Sequence, residues 1–449
     1  MESMNFCDRL KEAMAAKGFK QVDVLQIAAQ RGQKLGKSQL SQYVSGKTIP
    51  RPDMLAFLAE ALEVSEDWLR ATSDKTEPHA KEAQISQDKI EPDAAEDARS
   101  LITNQAEESA RPAQQEVRTM KRFEKSSKLN HVSYDVRGPA LDEAMRMEED
   151  GIHILKLNIG NPAPFGFRTP DEVVQDLASQ LRDTEGYSDS RGLFAARKAI
   201  MQYDQLKNIP NVTMNDIYTG NGVSDLINMV MQAMVETGDE ILVPSPDYPL
   251  WTACVTLAGG KAVHYLCDEQ AEWLPDIADI RSKVTSNTKA IVIINPNNPT
   301  GALYPKEVLE EIVQVARENQ LILLSDEIYD RLVMDGEEHV SIASLAPDLF
   351  CITFNGLSKS HMIAGWRIGW ISISGNKRLG RGLMEGINMM SNMRLCSNVP
   401  AQSIVQTALG GHQSVKGYVV PGGRVRNQRD FVYERLCQID GVSVVKPKA

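Results

Sequence analysis

The chain has 449 residues, room for two or three domains, with 42% hydrophobic and 24% charged residues, as in ordinary globular proteins. A net charge of −11 excludes a chain that coats nucleic acid along its whole length, and apolar runs such as residues 290–294 are far too short to span a bilayer. Six scattered cysteines without a Cys-x-x-Cys pair, seven dispersed histidines and no basic-then-apolar start point away from a metal site, a disulfide scaffold or a secretory signal, and toward reduced thiols in a cytoplasm.

The first 70 residues read as all helical. Phe6, Leu10 and Met14 recur at helical spacing. Val24, Ile27 and Ala28 form a second apolar stripe, Leu40, Tyr43 and Val44 a third, and Leu55, Leu58, Ala59 and Leu62 a fourth. The 32–36 segment, with a glycine at each end, breaks the second stripe from the third, and Ser65 caps an acid-rich turn over residues 66–69. Between Val24 and Pro52 there is no acid, but there are Arg31, Lys34, Lys37, Lys47 and Arg51. The third helix begins at Lys37-Ser38-Gln39 and adds Ser41 and Gln42, side-chain types that reach base edges and phosphates. This order resembles the helix-turn-helix domain of Cro-type repressors over nearly all of residues 4–70. The resemblance implies double-stranded DNA as a partner of residues 1–72, through Lys37, Ser38, Gln39, Ser41, Gln42 and Lys47. It leaves a protein-interaction module on the same fold as the alternative.

Residues 73–118 hold no Phe, Trp or Tyr, and eleven acids against six bases. Such a stretch cannot bury enough apolar surface to offset its ordering entropy, so a flexible acidic linker is expected. Beyond it, apolar runs alternate with amphipathic segments. Residues 240–244, 290–294, 321–325, 351–354 and 368–373 read as buried strands, and 224–236 and 306–319 as helices. The expectation is an α/β unit, a mainly parallel sheet with helices on both faces, whose ligands bind beyond the carboxyl ends of the strands.

The unusual polar residues fall at those ends. Asn295-Pro296-Asn297-Asn298-Pro299-Thr300-Gly301 forces a tight turn after one strand, and Asp326-Glu327-Ile328-Tyr329 follows another. An acid there needs a cation, and a protonated pyridine nitrogen is such a partner. Thr219-Gly220-Asn221-Gly222-Val223-Ser224 opens a helix with small residues that offer N–H groups to a phosphate, and Tyr248 follows a third strand. Ser358-Lys359, with Arg367 eight residues beyond the lysine, suits an imine to an aldehyde cofactor bearing a phosphate.

These segments, in this order, resemble the fold-type I aminotransferases that use pyridoxal 5′-phosphate, over roughly residues 122–449. The stretches Ser133-Tyr134-Asp135-Val136-Arg137-Gly138-Pro139, Leu157-Asn158-Ile159-Gly160-Asn161-Pro162 and Met393-Arg394-Leu395-Cys396-Ser397 resemble the branch that passes amino groups between alanine and 2-oxoglutarate. The resemblance implies a small-domain part at 119–165, a cofactor-binding large domain at 166–405 and the start of a C-terminal small domain at 406–449. It implies Lys359 and Asp326 as catalytic residues, Lys359 bonding the cofactor and then moving a proton at the substrate Cα. Tyr329 and Asn298 would hold the ring hydroxyl, Tyr248 would stack on the ring, and Ser358, Arg367 and Gly222-Val223-Ser224 would take the phosphate. Gly160, on a closing loop, and Asn298 would meet the substrate. Tyr187 would reach a neighbouring subunit's phosphate, which implies a homodimer.

The sequence departs from the family in two places. Gly356 stands where many relatives have serine, so one phosphate contact is expected to be missing. The resemblance also implies further small-domain strands past Ala449, carrying the arginine for the substrate α-carboxylate. Arg424, Arg426 and Arg429 do not match its motif. A chain ending at Ala449 is therefore expected to turn over little alanine, and a longer parent to be active. Two alternatives stay open: a transcription regulator whose aminotransferase-like domain senses cofactor or amino acids, and a transaminase for valine or an aromatic amino acid. Intact Asn298, Asp326 and Lys359 favour an enzyme.

Overall fold

A computed structural model describes residues 6–70, 123–132 and 138–449. The linker at 73–118 and residues 133–137 of the stretch Ser133 to Pro139 lie outside the described residues. The chain divides into two compact units, Met1–Arg118 and Thr119–Ala449.

In the first unit the described residues form α1 (Phe6–Ala16), α2 (Gln21–Gln30), α3 (Lys37–Val44), α4 (Pro52–Leu62) and α5 (Glu66–Leu69). Each apolar stripe becomes one helix face, and Leu10, Val24, Leu40, Leu58 and Leu69 are wholly buried in a shared core. Pro52 opens α4 where its missing N–H costs nothing. Ser65 Oγ accepts the Trp68 N–H at 3.2 Å, the cap expected from the sequence.

In the second unit the helices are α6 (Gly138–Glu149), α7 (Asp171–Gln180), α8 (Phe194–Leu206), α9 (Val223–Met234), α10 (Leu250–Ala258), α11 (Ile277–Lys283), α12 (Lys306–Asn319), α13 (Arg381–Met393), α14 (Val399–Ser403), α15 (Val405–Gly410), α16 (Val415–Val419) and α17 (Arg424–Leu436). The strands are β1 (Ile217–Gly220), β2 (Glu240–Ser245), β3 (Lys261–Asp268), β4 (Leu274–Pro275), β5 (Thr288–Ile294), β6 (Ile322–Asp326), β7 (Phe350–Gly356) and β8 (Gly369–Gly375). They form one sheet in the order β1-β8-β7-β6-β5-β2-β3-β4. The inner run from β7 to β3 is parallel, and β8, β1 and β4 join antiparallel. The expected mainly parallel sheet is therefore present.

The sheet is buried on both faces. Along β5, Ala290, Val292 and Ile294 enter the core under α9, α10 and α13, while Ile291 and Ile293 enter the core under α11 and α12. The connection after β2 is α10, on the first face, and the connection after β5 is α12, on the second. Neighbouring strands whose connections leave in opposite directions open a crevice at their carboxyl ends. The described helices include none long and apolar enough to cross a membrane.

Candidate active site

At that crevice lies a cavity of about 790 Å³. Its wall takes Tyr248 from the turn after β2, Asn298 from the turn after β5, and Asp326, Ile328 and Tyr329 from the end of β6. Ser358, Lys359 and Arg367 come from the β7–β8 connection, Val223 and Ser224 from the start of α9, and Asn158, Ile159 and Gly160 from the segment before α7. Segments spread over more than 200 residues thus meet, most of them because they follow a strand or open a helix on the same edge of one sheet.

Asp326 is 3% exposed. Its carboxyl accepts the Ile328 N–H and the Trp251 indole N–H, each at 3.3 Å. Both are long, neutral contacts, and burial pushes the carboxyl up to about 6. A buried acid with only weak neutral donors is a site that gains from an incoming cation. Tyr329 and Asn298 meet beside it, Asn298 Nδ2 donating to Tyr329 Oη at 3.4 Å. Burial, with Asp326 and Tyr248 nearby, raises the Tyr329 phenol, so it stays protonated and able to donate.

Lys359 Nζ lies 5.7 Å from the Tyr329 ring centre and donates to Gly160 O at 2.8 Å. Burial lowers its pKa, the Arg367 charge lowers it further, and Asp326 pulls the other way. An amine shifted in this direction is a better nucleophile near neutral pH. Ser358 beside it is buried.

The turn into α9 is built on glycine. Gly222 has φ +83°, and a Cβ there would sit 2.3 Å from Arg367 Nη2. A Cβ on Gly369 would meet Val223 N at 2.7 Å. The N-terminus of α9 and the Arg367 guanidinium are thereby drawn together, with Arg367 Nη2 donating to Asn221 O at 3.0 Å and Nη1 to Ala364 O at 2.9 Å. Backbone N–H groups at a helix start beside an arginine form an anion cradle. Gly222 stands behind this cradle and does not itself line the cavity. Gly356, the departure from the family pattern, pairs with Gly369 across β7 and β8, and a Cβ there would lie 2.7 Å from Ile368 O. The backbone at this position excludes a serine side chain.

Tyr187 is 83% exposed and outside the cavity of this single chain. Arg426 and Arg429 are spent on Asp335 and Asp430, and Arg424 stacks over Phe167 with 4.2 Å from its Cζ to the ring centre. Sequence reasoning did not single out Trp251 for its indole donor to Asp326, although the residue sits in the first turn of α10, three residues after Tyr248. It also missed the contacts beneath the Asp326 turn. There Glu327, Asp330 and His339 cluster, with the Lys207 ammonium paired to both acids.

In the other unit, Lys37, Ser38, Gln39, Ser41, Gln42 and Lys47 are all exposed. Leu40 and Tyr43 turn inward, so the polar positions of α3 share one open face. Gln39 Nε2 donates to Tyr43 Oη at 2.7 Å, which orients it along that face.

The family profile "Aminotransferase class I and II" matches residues 152–449, and a "Helix-turn-helix" profile matches residues 10–69. The chain is 59% identical over 328 residues to the glutamate-pyruvate aminotransferase of Haemophilus influenzae, covering 73% of this chain and 81% of that protein. It is 54% identical over 326 residues to the alanine aminotransferase of Mycobacterium tuberculosis, covering 72% and 76%. A solved aminotransferase from Escherichia coli superposes with a TM-score of 0.72 at 58% identity, covering 73% of this chain and 81% of the other. An alanine aminotransferase from Pyrococcus furiosus superposes with a TM-score of 0.69 at 39% identity, covering 72% and 82%. The chain belongs to the class I and II aminotransferase family and carries a helix-turn-helix domain ahead of the aminotransferase unit.

Proposed function

We propose that the protein is a pyridoxal 5′-phosphate-dependent aminotransferase that exchanges the amino group between alanine and 2-oxoglutarate, giving pyruvate and glutamate. The observation that carries this is one cavity wall. It holds a buried, cation-hungry acid, a paired tyrosine and asparagine, a lysine of lowered pKa, and an anion cradle from α9 and Arg367. The choice of alanine rests on the relatives named for alanine or glutamate–pyruvate, up to 59% identical. When bound, the cofactor supplies an electron-withdrawing ring that makes the substrate Cα–H acidic.

The residues present fit that group. Asp326, without a cation at its carboxyl, is suited to a protonated ring nitrogen, and Asn298 and Tyr329 offer two N–H or O–H donors to a ring oxygen. Tyr248 provides an aromatic face, and Val223, Ser224, Ser358 and Arg367 converge where a phosphate dianion needs donors. Lys359 supplies the amine that bonds the cofactor and, once released by substrate, is placed to take the proton from Cα and return it elsewhere. Gly160 and Asn298 bound the side from which substrate enters. Two half-reactions share the site in turn, so the kinetics are ping-pong.

A homodimer belongs to the same reading. Exposed Tyr187 reaches a partner's phosphate cradle, and Phe194 and Met393, 61% and 73% exposed, are large apolar side chains that a partner would cover. The division into parts at 119–165, 166–405 and 406–449 also belongs to it, as does a cytoplasmic location, with which the six free thiols agree. The N-terminal unit binds double-stranded DNA through the acid-free α3 face, using Lys37, Ser38, Gln39, Ser41, Gln42 and Lys47.

The test mixes full-length protein and cofactor with alanine and 2-oxoglutarate, following pyruvate and the visible absorbance of lysine-bound cofactor. Turnover with loss of that absorbance in Lys359→Ala supports the reading. Absorbance without turnover of alanine or other amino acids would move it to a cofactor-sensing regulator.

A further inference from the structure

The turn that begins at Asp326 has two sides. Asp326, Ile328 and Tyr329 line the cavity, whereas Glu327 and Asp330, 0% and 9% exposed, do not. Both of these acids turn to Lys207, the residue that closes α8. Its ammonium pairs with Glu327 Oε2, and with Asp330 Oδ2 at 2.7 Å. Further donors reach both acids. Glu327 Oε1 receives Ser325 Oγ at 2.9 Å and Ser341 Oγ at 2.7 Å. Asp330 Oδ2 receives Tyr203 Oη at 2.6 Å and Asn355 Nδ2 at 2.7 Å. Burial works against the Lys207 charge, but Asp330 and Glu327 outweigh it and keep the ammonium protonated. Burial also works against the Asp330 charge, and Lys207, His339 and Tyr203 together hold that carboxyl at about 2.

We propose that Lys207 is a positioning residue of the reaction: by tying together the acids on either side of Ile328 and Tyr329, it fixes the stretch of backbone that carries the Asp326 carboxyl and the Tyr329 hydroxyl into the cavity. This rests on the function proposed above. The ties are rigid in both directions. Glu327 is bonded to Asp326 through the chain, and Asp330 to Tyr329, so the backbone carrying either cavity-facing group cannot shift without moving a buried carboxylate off its ammonium. Taking away one member of a buried, hydrogen-bonded pair leaves the other charged and unmatched. Glu327 and Asp330 must then gain protons or move toward water, and either response displaces the turn. The groups facing this cluster are few. Tyr203, on α8, is raised by burial and neutral, with Arg331 4.3 Å from its ring centre. Asp204, pushed up to about 7 by burial, receives Ser372 Oγ at 2.6 Å. His339, lowered by burial, meets Asn295 O at 3.1 Å, and Asp326 feels the Glu327 charge directly. None is a cation placed to replace Lys207 between the two acids.

The experiment compares native protein with Lys207→Met and Lys207→Arg. Three quantities are read: affinity for pyridoxal 5′-phosphate, the pH midpoint of the lysine-bound cofactor's absorbance, and the thermal midpoint without cofactor. Lys207→Met should weaken cofactor binding by about 10- to 100-fold and move the absorbance midpoint by about one pH unit. Lys207→Arg, which keeps the charge, should return both to within about threefold and a few tenths of a unit. A fall in thermal midpoint alone, with affinity and absorbance midpoint as in native protein, would assign Lys207 a merely structural part and overturn the proposal. Should Lys207→Met not fold, Asp330→Asn keeps the Glu327 pair and cuts one tie. A severalfold loss of affinity then supports the proposal and no loss overturns it. Failure of the native protein to take up the cofactor overturns the functional reading itself, and this inference with it.

Discussion

In the cavity, unlike groups converge from the ends of β2, β5, β6 and β7 and from the start of α9, and most are buried or half-buried. On α3, similar polar groups stand in a row along one exposed helix face. The first arrangement raises the stakes of every group. Low dielectric magnifies each charge, and no neighbour duplicates the work of Asp326 or Lys359. The second spreads a small amount of binding energy over several interchangeable, solvated side chains, each screened by salt. Within the cavity burial acts on the charged groups themselves, pushing Asp326 up and Lys359 down.

Substitutions can break or sharpen this contrast. The largest effect is expected from Lys359→Ala, which removes both the covalent attachment and the proton carrier. Turnover should fall by about 10⁴-fold or more, measured as pyruvate released from alanine. A residual rate within tenfold of native would contradict a lysine-centred site.

Asp326→Asn should separate stability from function. Burial favours the protonated acid, so the folded chain holds a proton that the unfolded chain has already lost between about pH 4 and 6. The Asp326 contribution to the stability of the cofactor-free protein should therefore decline as pH rises through that window, by roughly 3 kcal/mol at 1.36 kcal/mol per unit, and level off above it, while Asp204, pushed up to about 7, adds a decline of its own. The asparagine variant should show a shallower decline, without the Asp326 share, and be the more stable protein at pH 7. Its turnover should nevertheless drop by about 10²- to 10³-fold. Denaturant unfolding from pH 4 to 8 reads the first effect. An unchanged slope in the variant would assign the titration to another group.

Arg367→Ala should cost about 2–3 kcal/mol of cofactor binding, a loss of one charge-assisted contact, while leaving the thermal midpoint of the cofactor-free protein nearly unchanged because the guanidinium is exposed. Equilibrium dialysis with pyridoxal 5′-phosphate and with pyridoxal separates the phosphate contribution, since only the former should weaken. The smallest effects belong to α3 and the turn that follows it. Lys37→Ala or Lys47→Ala should each weaken duplex binding severalfold and lower the salt slope by about one, with transamination untouched. A single α3 substitution that stops turnover would erase the contrast altogether.

What could be read from the sequence follows burial. The runs that became β5 and β6 are apolar on both faces, so they announced themselves as continuous hydrophobic stretches. β3 was not legible, because several of its eight residues stay exposed and Lys261 and His264 interrupt the apolar pattern. β1, four residues long and paired antiparallel to β8, carries too little periodicity to find. The cavity was legible because its groups are the end residues of strands that could be found. Lys207 was not, since it ends a surface-like helix and meets its acids 120 and 123 residues away. Nor could sequence tell that Gly222 serves by leaving room for Arg367 while contributing no surface of its own to the cavity.

The hydrogen bond from Lys359 to Gly160 O couples two events that chemistry alone would treat separately. A nitrogen committed to a covalent bond with the cofactor has fewer N–H groups to offer, so the bond to the carbonyl of the loop before α7 is expected to weaken when the lysine is loaded. The expectation is a loop held at Lys359 in the unloaded protein and loosened by charging. By reciprocity, whatever steadies that loop in its present place makes the lysine slightly harder to charge. Slow amide exchange around Gly160 in cofactor-free protein, faster after loading, is the signature of such a latch.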